Sequence, residues 1–333
     1  MNRVWLTSVT IFCISGVCQA RIITVDPNGS TDHATIQAAI DAAHAGDTVT
    51  VRAGTYVENI TLKRGVPIVG AGFKETTIDG GGKGPVVTAE NVDSTAKLEG
   101  FTITNGSAQN GGGMRCISSS PTIAHCIFTR NRAFGFGGGM YNQNSSPTLS
   151  HCTFSENSAV QASSGGGGVY NVNDSSPILT DCSFENDRAR LGFGGALANV
   201  GNSRPKLSNV TFSANEAVRG GAIRNESGSD PNLQGITFSA NQAKSHGGAI
   251  DNLNSNPRIA GCVFSANTAL YGGAIFNDNS SPEVVGCTFS ANGAGSTGVA
   301  ALHVLKGLLW LAFAIVFLVG VWGLGKFFAR PLK

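Results

Sequence analysis

The sequence predicts an all-β solenoid, and three observations carry that prediction. A motif of proline, an aliphatic residue two on, Cys, Val or Ile at five, Phe at seven, usually Asn at ten and Ala at twelve is written seven times. It starts at Pro121, Pro147, Pro177, Pro205, Pro231, Pro257 and Pro282, a period of 25 to 30 residues, the mark of stacked repeat units. Branched and aromatic residues sit in short alternating runs such as Cys262-Val263-Phe264, a period of two that argues strands rather than helix. A second inward run follows a glycine pair, at Ala222-Ile223, Ala249-Ile250 and Ala274-Ile275, with looser copies at Gly138-Gly139-Met140 and Gly194-Gly195-Ala196-Leu197. Each turn is therefore expected to hold about three short strands.

Coils of this length, stacked at the strand spacing of about 4.8 Å, make a parallel β-helix in which each repeat position becomes a column. Phe128, Phe154, Phe184, Phe212, Phe238, Phe264 and Phe289 form one predicted column, an internal aromatic stack. Asn142, Asn171, Asn199, Asn225, Asn252 and Asn277 form another, a ladder in which each side-chain amide donates and accepts along the stack.

Two resemblances follow from these residues. Gly-Gly-Ala-Ile paired with Phe-x-x-Asn, as in Phe212 to Asn215 followed by Gly220 to Ile223, resembles the polymorphic outer-membrane protein repeat. The opening stretch, Thr35-Ile36-Gln37-Ala38-Ala39-Ile40 through Gly46-Asp47-Thr48-Val49 to Gly54-Thr55-Tyr56, is similar to the first coils of pectin-lyase-like right-handed β-helices. Together they cover residues from about 22 to 295 and imply a right-handed solenoid, a fold that hosts lyases, hydrolases, esterases and adhesins alike. The paired-aspartate segments of pectin methylesterases and the Asn-Thr-Asp, Asp-Asp and Gly-His-Gly of polygalacturonases do not occur.

The ends suggest export and anchoring. Residues 1–20 carry Arg3, an apolar run from Val4 to Val17 and a small residue at Ala20, the pattern of a cleaved secretory signal peptide. Thr35 to Ala45 has helical apolar spacing ending at Gly46 and is expected to cap the solenoid. Residues 307–325 contain no charge and are long enough to cross a hydrocarbon core of about 30 Å. Trp310 and Trp322 stand near the ends of this stretch, and Lys326, Arg330 and Lys333 follow, which by the positive-inside rule leaves the tail cytoplasmic and the solenoid outside. The 41 residues after Asn292 are too few for the translocating barrel that the repeat resemblance would bring. The expected organisation is a signal peptide at 1–20, a right-handed parallel β-helix at 21–298 with a capping helix at 35–45 and regular coils at about 101–294, a linker at 299–306, a transmembrane helix at 307–325 and a basic tail at 326–333.

Charge narrows the partners. Setting aside Arg3, Lys306, Lys326, Arg330 and Lys333 leaves 18 basic against 21 acidic residues in the exported domain, without the basic footprint that nucleic acid requires. Five of the cysteines, Cys126, Cys152, Cys182, Cys262 and Cys287, share one repeat position with Val210 and Ile236, so the slot takes a small buried apolar group. Bridges between adjacent coils, Cys126 to Cys152 or Cys262 to Cys287, are the candidate disulfides in an oxidising compartment, although parallel neighbours align their Cβ vectors poorly.

A catalytic group is needed once, so chemistry is sought where the repeat breaks, at Cys116 to Phe193. His125, His151 and Asp181 each precede the cysteine slot on successive coils, a column of two imidazoles and a carboxylate able to act as acid and base or to bind a metal. Arg130, Arg132, Glu156 and Arg188 fall a few residues further on, and their guanidinium groups suit the carboxylates of an acidic sugar. Tyr141 and Tyr170 share an outward column with Arg115, Arg224, Asp251 and Phe276, a place for sugar stacking. An outward column must in any case hold something polar, so surface decoration competes with each of these readings. Two functions are compared: cell-surface display, adhesion or glycan binding without catalysis, and a polysaccharide lyase or glycoside hydrolase acting on acidic polysaccharide through the irregular coils. No cofactor is expected for the first; calcium would accompany the second, through the cation that neutralises a uronate.

Overall fold

The computed structural model describes residues 20–295. The predicted leader through residue 19, the 299–306 linker, the 307–325 span and the 326–333 tail lie outside the described residues. Among the described residues no helix is long and apolar enough to cross a membrane.

Four parallel sheets run the length of the coil, with 11, 10, 8 and 9 strands. Following one turn, the strand after each proline (Thr122–Ala124) belongs to a proline face, the next (Ile127–Thr129) to a phenylalanine face, the third (Arg132–Phe136) to an alanine face and the fourth (Met140–Gln143) to an asparagine face. Four strands per turn, rather than about three, is a correction with a simple cause. The inward residue of the third strand is alanine, as at Ala133, Ala159, Ala189 and Ala217, all buried, and a side chain that small leaves little hydrophobic periodicity to detect.

Register is set coil on coil without slippage along the phenylalanine face, where Phe128 pairs with Phe154 and Phe154 with Phe184. The ring centroids stack 4.7 to 5.2 Å apart from Phe128 to Phe289. Phe128 through Phe264 are wholly buried, each contributing about 2–3 kcal/mol of apolar burial. On the asparagine face, Nδ2 of Asn142, Asn171, Asn199, Asn225 and Asn252 each donates to Oδ1 of the next coil at 2.8 to 2.9 Å. Cys116 occupies the ladder position before Asn142, and because a thiol replaces the amide there, Asn142 Oδ1 has no partner.

A second ladder runs through the corner between the phenylalanine and alanine faces, from Asn131 and Asn157 to Asn215, Asn241, Asn267 and Asn292. The motif showed its asparagines but not that they join. The fold between alanine and asparagine faces is tight enough to require glycine: at Gly221 a Cβ would meet the Gly248 carbonyl oxygen at 2.2 Å, and Gly220 has φ 64°. Near the N-terminus a helix spans Ile36–Ala42, inside the predicted 35–45 segment, and buries Ile36, Ala39 and Ile40 against the first strands. Glu58 accepts from the backbone N–H groups of Ile36 and Gln37 at 2.9 and 3.0 Å, satisfying two donors at the helix start.

Candidate functional site

The corner between the phenylalanine and alanine faces turns on a residue with positive φ: Asn105, Arg130, Glu156, Asn186, then Ala214, Ala240, Ala266 and Ala291, all between 53° and 57°. The later, regular coils place alanine there; the earlier ones place polar side chains, of which Arg130 and Glu156 are long. Two residues on, Ser107, Arg132, Ser158 and Arg188 stand in register on the alanine face. The predicted group Arg130, Arg132, Glu156 and Arg188 is therefore brought to one corner. Asn131 points inward between the two arginines, so both guanidinium groups emerge on the same side.

This corner holds an open concavity of about 480 Å³ lined by Asp79, Gly81, Gly82, Asn105, Gly106, Ser107, Arg130 and Arg132. Asp79 is already engaged: Oδ1 accepts from the Gly81 N–H at 2.8 Å and Oδ2 from Asn105 Nδ2 at 2.9 Å. Arg132 lies over the Phe134 ring, 4.8 Å from its centroid. Ten arginines among the described residues have a carboxylate partner; Arg130 and Arg132 have none. Arg188 shares Glu216 with Arg190, at 3.9 and 2.8 Å, and Arg115 pairs with Glu90 at 2.6 Å.

His125, His151 and Asp181 do form a column. The imidazoles stack 4.8 Å apart and 3° from parallel, and His151 Nε2 lies 3.9 Å from Asp181 Oδ2. Lone pairs in parallel ring planes do not converge on one ion, and no group of three or more His, Cys, Asp or Glu able to hold a metal occurs among the described residues. The column also answers a backbone demand. Its members have φ of 50° to 52°, and the same position is Gly100, Gly235, Gly261 and Gly286 on other coils. His, Asn and Asp tolerate this region better than other side chains. His125 and Arg130 are separated by the intervening strand, about 16 Å at 3.3 Å per residue, so the column and the arginine corner do not meet.

Tyr141 and Tyr170 are less available than an outward column implies. Tyr141 is only 8% exposed and its hydroxyl lies 3.1 Å from Gln143 Oε1. Phe136 packs on Tyr170 with centroids 4.4 Å apart, and burial pushes the Tyr170 phenol up to about 12. The cover comes from the column Phe136, Gly165, Phe193, Arg219, His246 and Tyr271 on the alanine-face side, folded against the asparagine face by the glycine pairs. All six described cysteines are free thiols, so the candidate pairs Cys126 with Cys152 and Cys262 with Cys287 are unbridged; the Cys262 N–H donates to Cys287 Sγ at 3.4 Å.

No curated protein matches the chain. Solved structures similar to it include pectin methylesterase from carrot (11% identity, 71% of this chain and 82% of that one, TM-score 0.47) and from Aspergillus niger (15%, 78% and 85%, 0.46). The A-module of the mannuronan C-5 epimerase AlgE4 of Azotobacter vinelandii is also similar (18%, 80% and 95%, 0.37). The model of the right handed beta helix region matches residues 69–194 and, overlapping them, 140–303; with the parallel register running coil to coil through the described residues of both matches, this chain belongs to the right-handed β-helix family.

Proposed function

We propose that the protein is an exported, membrane-anchored β-helix whose ligand is an acidic polysaccharide, bound at the corner of Arg130 and Arg132. One observation carries this reading: two adjacent guanidinium groups without a carboxylate partner face an open concavity, in a chain whose other described arginines are all paired. Planar guanidinium forks suit carboxylates, and the glycines of the rim let a chain of sugars approach the backbone. Display at the cell surface through the 307–325 segment fits this use, since an anchored solenoid presents its long corner to a polymer.

A second reading is a polysaccharide lyase or glycoside hydrolase acting on the same class of polymer through the irregular coils, where His151 Nε2 lies 3.9 Å from Asp181 Oδ2. The test of the binding reading uses the full chain in detergent micelles, passed over immobilised polygalacturonate and over neutral dextran. Retention on the acidic polymer alone, released by salt, supports the proposal; equal passage through both sinks it.

A further inference from the structure

Arg21 immediately precedes the first strand, Ile22–Val25, which pairs with Thr48–Val51. Its carbonyl oxygen accepts from the Thr48 N–H at 2.9 Å, which fixes its backbone in place. Its backbone nitrogen lies 2.8 Å from Oδ1 of Asp47, a carboxylate whose side chain is only 2% exposed. Asp47 Oδ2 accepts from Arg21 Nε at 3.2 Å, from Nη2 at 2.7 Å and from the His44 N–H at 2.8 Å. Nη2 also lies 3.3 Å from the carbonyl oxygen of Ala42, the last residue of the capping helix. One buried carboxylate therefore ties the start of the first strand to the end of that helix. The Arg21 side chain first, then the two backbone N–H groups, hold Asp47 well below the usual carboxylate range, so it stays ionised at neutral pH.

The peptide bond before this nitrogen is the one at which the secretory leader is expected to end. Cys18 and Ala20 are small residues two apart, the spacing that a leader protease reads. Ala20 is exposed, whereas Ile23 and Val25 are buried. Hydrolysis here breaks the Ala20–Arg21 bond: water gives its oxygen to the Ala20 carboxylate, and its protons leave the Arg21 nitrogen as an ammonium. An amide offers Asp47 one neutral donor, whereas an ammonium at the same place makes a charge-assisted bond roughly twice as strong.

We propose that removal of the leader locks the N-terminal cap, by turning the Arg21 amide into an α-ammonium that pairs with Asp47. The proposal rests on the reading that the chain is exported and is independent of the polymer. Besides Asp47, the ionisable groups at this place are the Arg21 guanidinium, held on the other carboxylate oxygen, and His44, whose Nδ1 lies 3.8 Å from that oxygen. A cut one residue upstream leaves Arg21 an amide, and a cut one residue downstream removes both of its donors. The unprocessed chain lacks the ion pair, so the cap gains its full strength only once the leader is gone.

The test exports the full chain, purifies it in micelles and reads its first residue by mass spectrometry of the N-terminal peptide. The parent is compared with Asp47→Asn, with a chain carrying Gly-Ser inserted between Ala20 and Arg21, and with both changes together. The expected first residue is Arg21. Its α-amine should be acylated by a succinimidyl ester at pH 7 about tenfold more slowly than the amine of the Gly-Ser chain, the effect of an α-amino pKa about one unit higher. The insertion should lower the unfolding midpoint by about 2 °C or more, and should not lower it further once Asp47 is asparagine. A retained leader overturns this proposal together with the export reading. A different first residue overturns the lock and leaves export standing. Arg21 first, with an α-amine as reactive as that of the Gly-Ser chain or with an insertion that leaves the parent's midpoint unchanged, overturns the lock alone.

Discussion

Asp187 stands where neighbouring coils place asparagine in the corner ladder, its Oδ1 accepting from Nδ2 of Asn157 at 3.0 Å and from the Asn157 N–H at 2.8 Å. In the other coils the ladder amide donates to a carbonyl of the preceding coil's phenylalanine face, as Asn131 does to Ile103, Asn157 to Phe128 and Asn215 to Phe184. The Asp187 atom at that place, Oδ2, is buried without a partner. Only a protonated carboxyl can supply the missing donor, and burial raises the Asp187 pKa well above its usual value.

Stability should therefore depend on pH through Asp187. Because the folded pKa is raised, the folded state binds more protons than the unfolded one, and stability falls as pH rises from about 3.8 through the folded value. Asp187→Asn restores the donor and removes that fall. Urea unfolding at a series of pH values should show the variant more stable by about 1–3 kcal/mol at neutral pH, with the gap closing in acid.

The phenylalanine column is continuous, so a gap in its middle has no route to collapse. Phe212→Ala should cost about 3–5 kcal/mol, read from the denaturant midpoint.

His151 occupies a glycine-type backbone position at φ 52°. His151→Gly should leave stability within about 1 kcal/mol of the parent, whereas His151→Val should lose about 1–2 kcal/mol, the cost of a branched side chain in the left-handed region. Equal losses would mean that the histidine contacts matter more than the backbone.

Cys116 and Cys126 are wholly buried, and desolvation pushes both thiols up to about 12. Neither should react with a maleimide in the folded protein; both should react in denaturant. Mass spectrometry of the labelled peptides checks this.

Much of the fold was legible because stacking turns each repeat position into a column, so Phe212 and Asn225 announce their neighbours' environments as well as their own. The third strand was not, since Ala217 carries too little apolar signal. The arginine corner was readable as a cluster, but its distinguishing property, that Arg130 and Arg132 lack the carboxylates their fellows have, depends on where the rotamers and Asp79 fall in three dimensions. The packing of His246 against Phe276 was missed for a related reason. Phe276 stood in a recognised column, yet only the fold at Gly247 and Gly248 lays it against the column of His246, and a glycine pair does not state its angle.

The proposed function sets Arg130 and Arg132 against an acidic polymer. The most direct measurement is the rate at which phenylglyoxal modifies each of them in the full chain, with polygalacturonate, with dextran and with neither. Protection of Arg130 and Arg132 by polygalacturonate alone, with Arg204, which pairs with Asp230 away from that concavity, modified at an unchanged rate, is the predicted result. Rates at Arg130 and Arg132 that polygalacturonate leaves unchanged would contradict it.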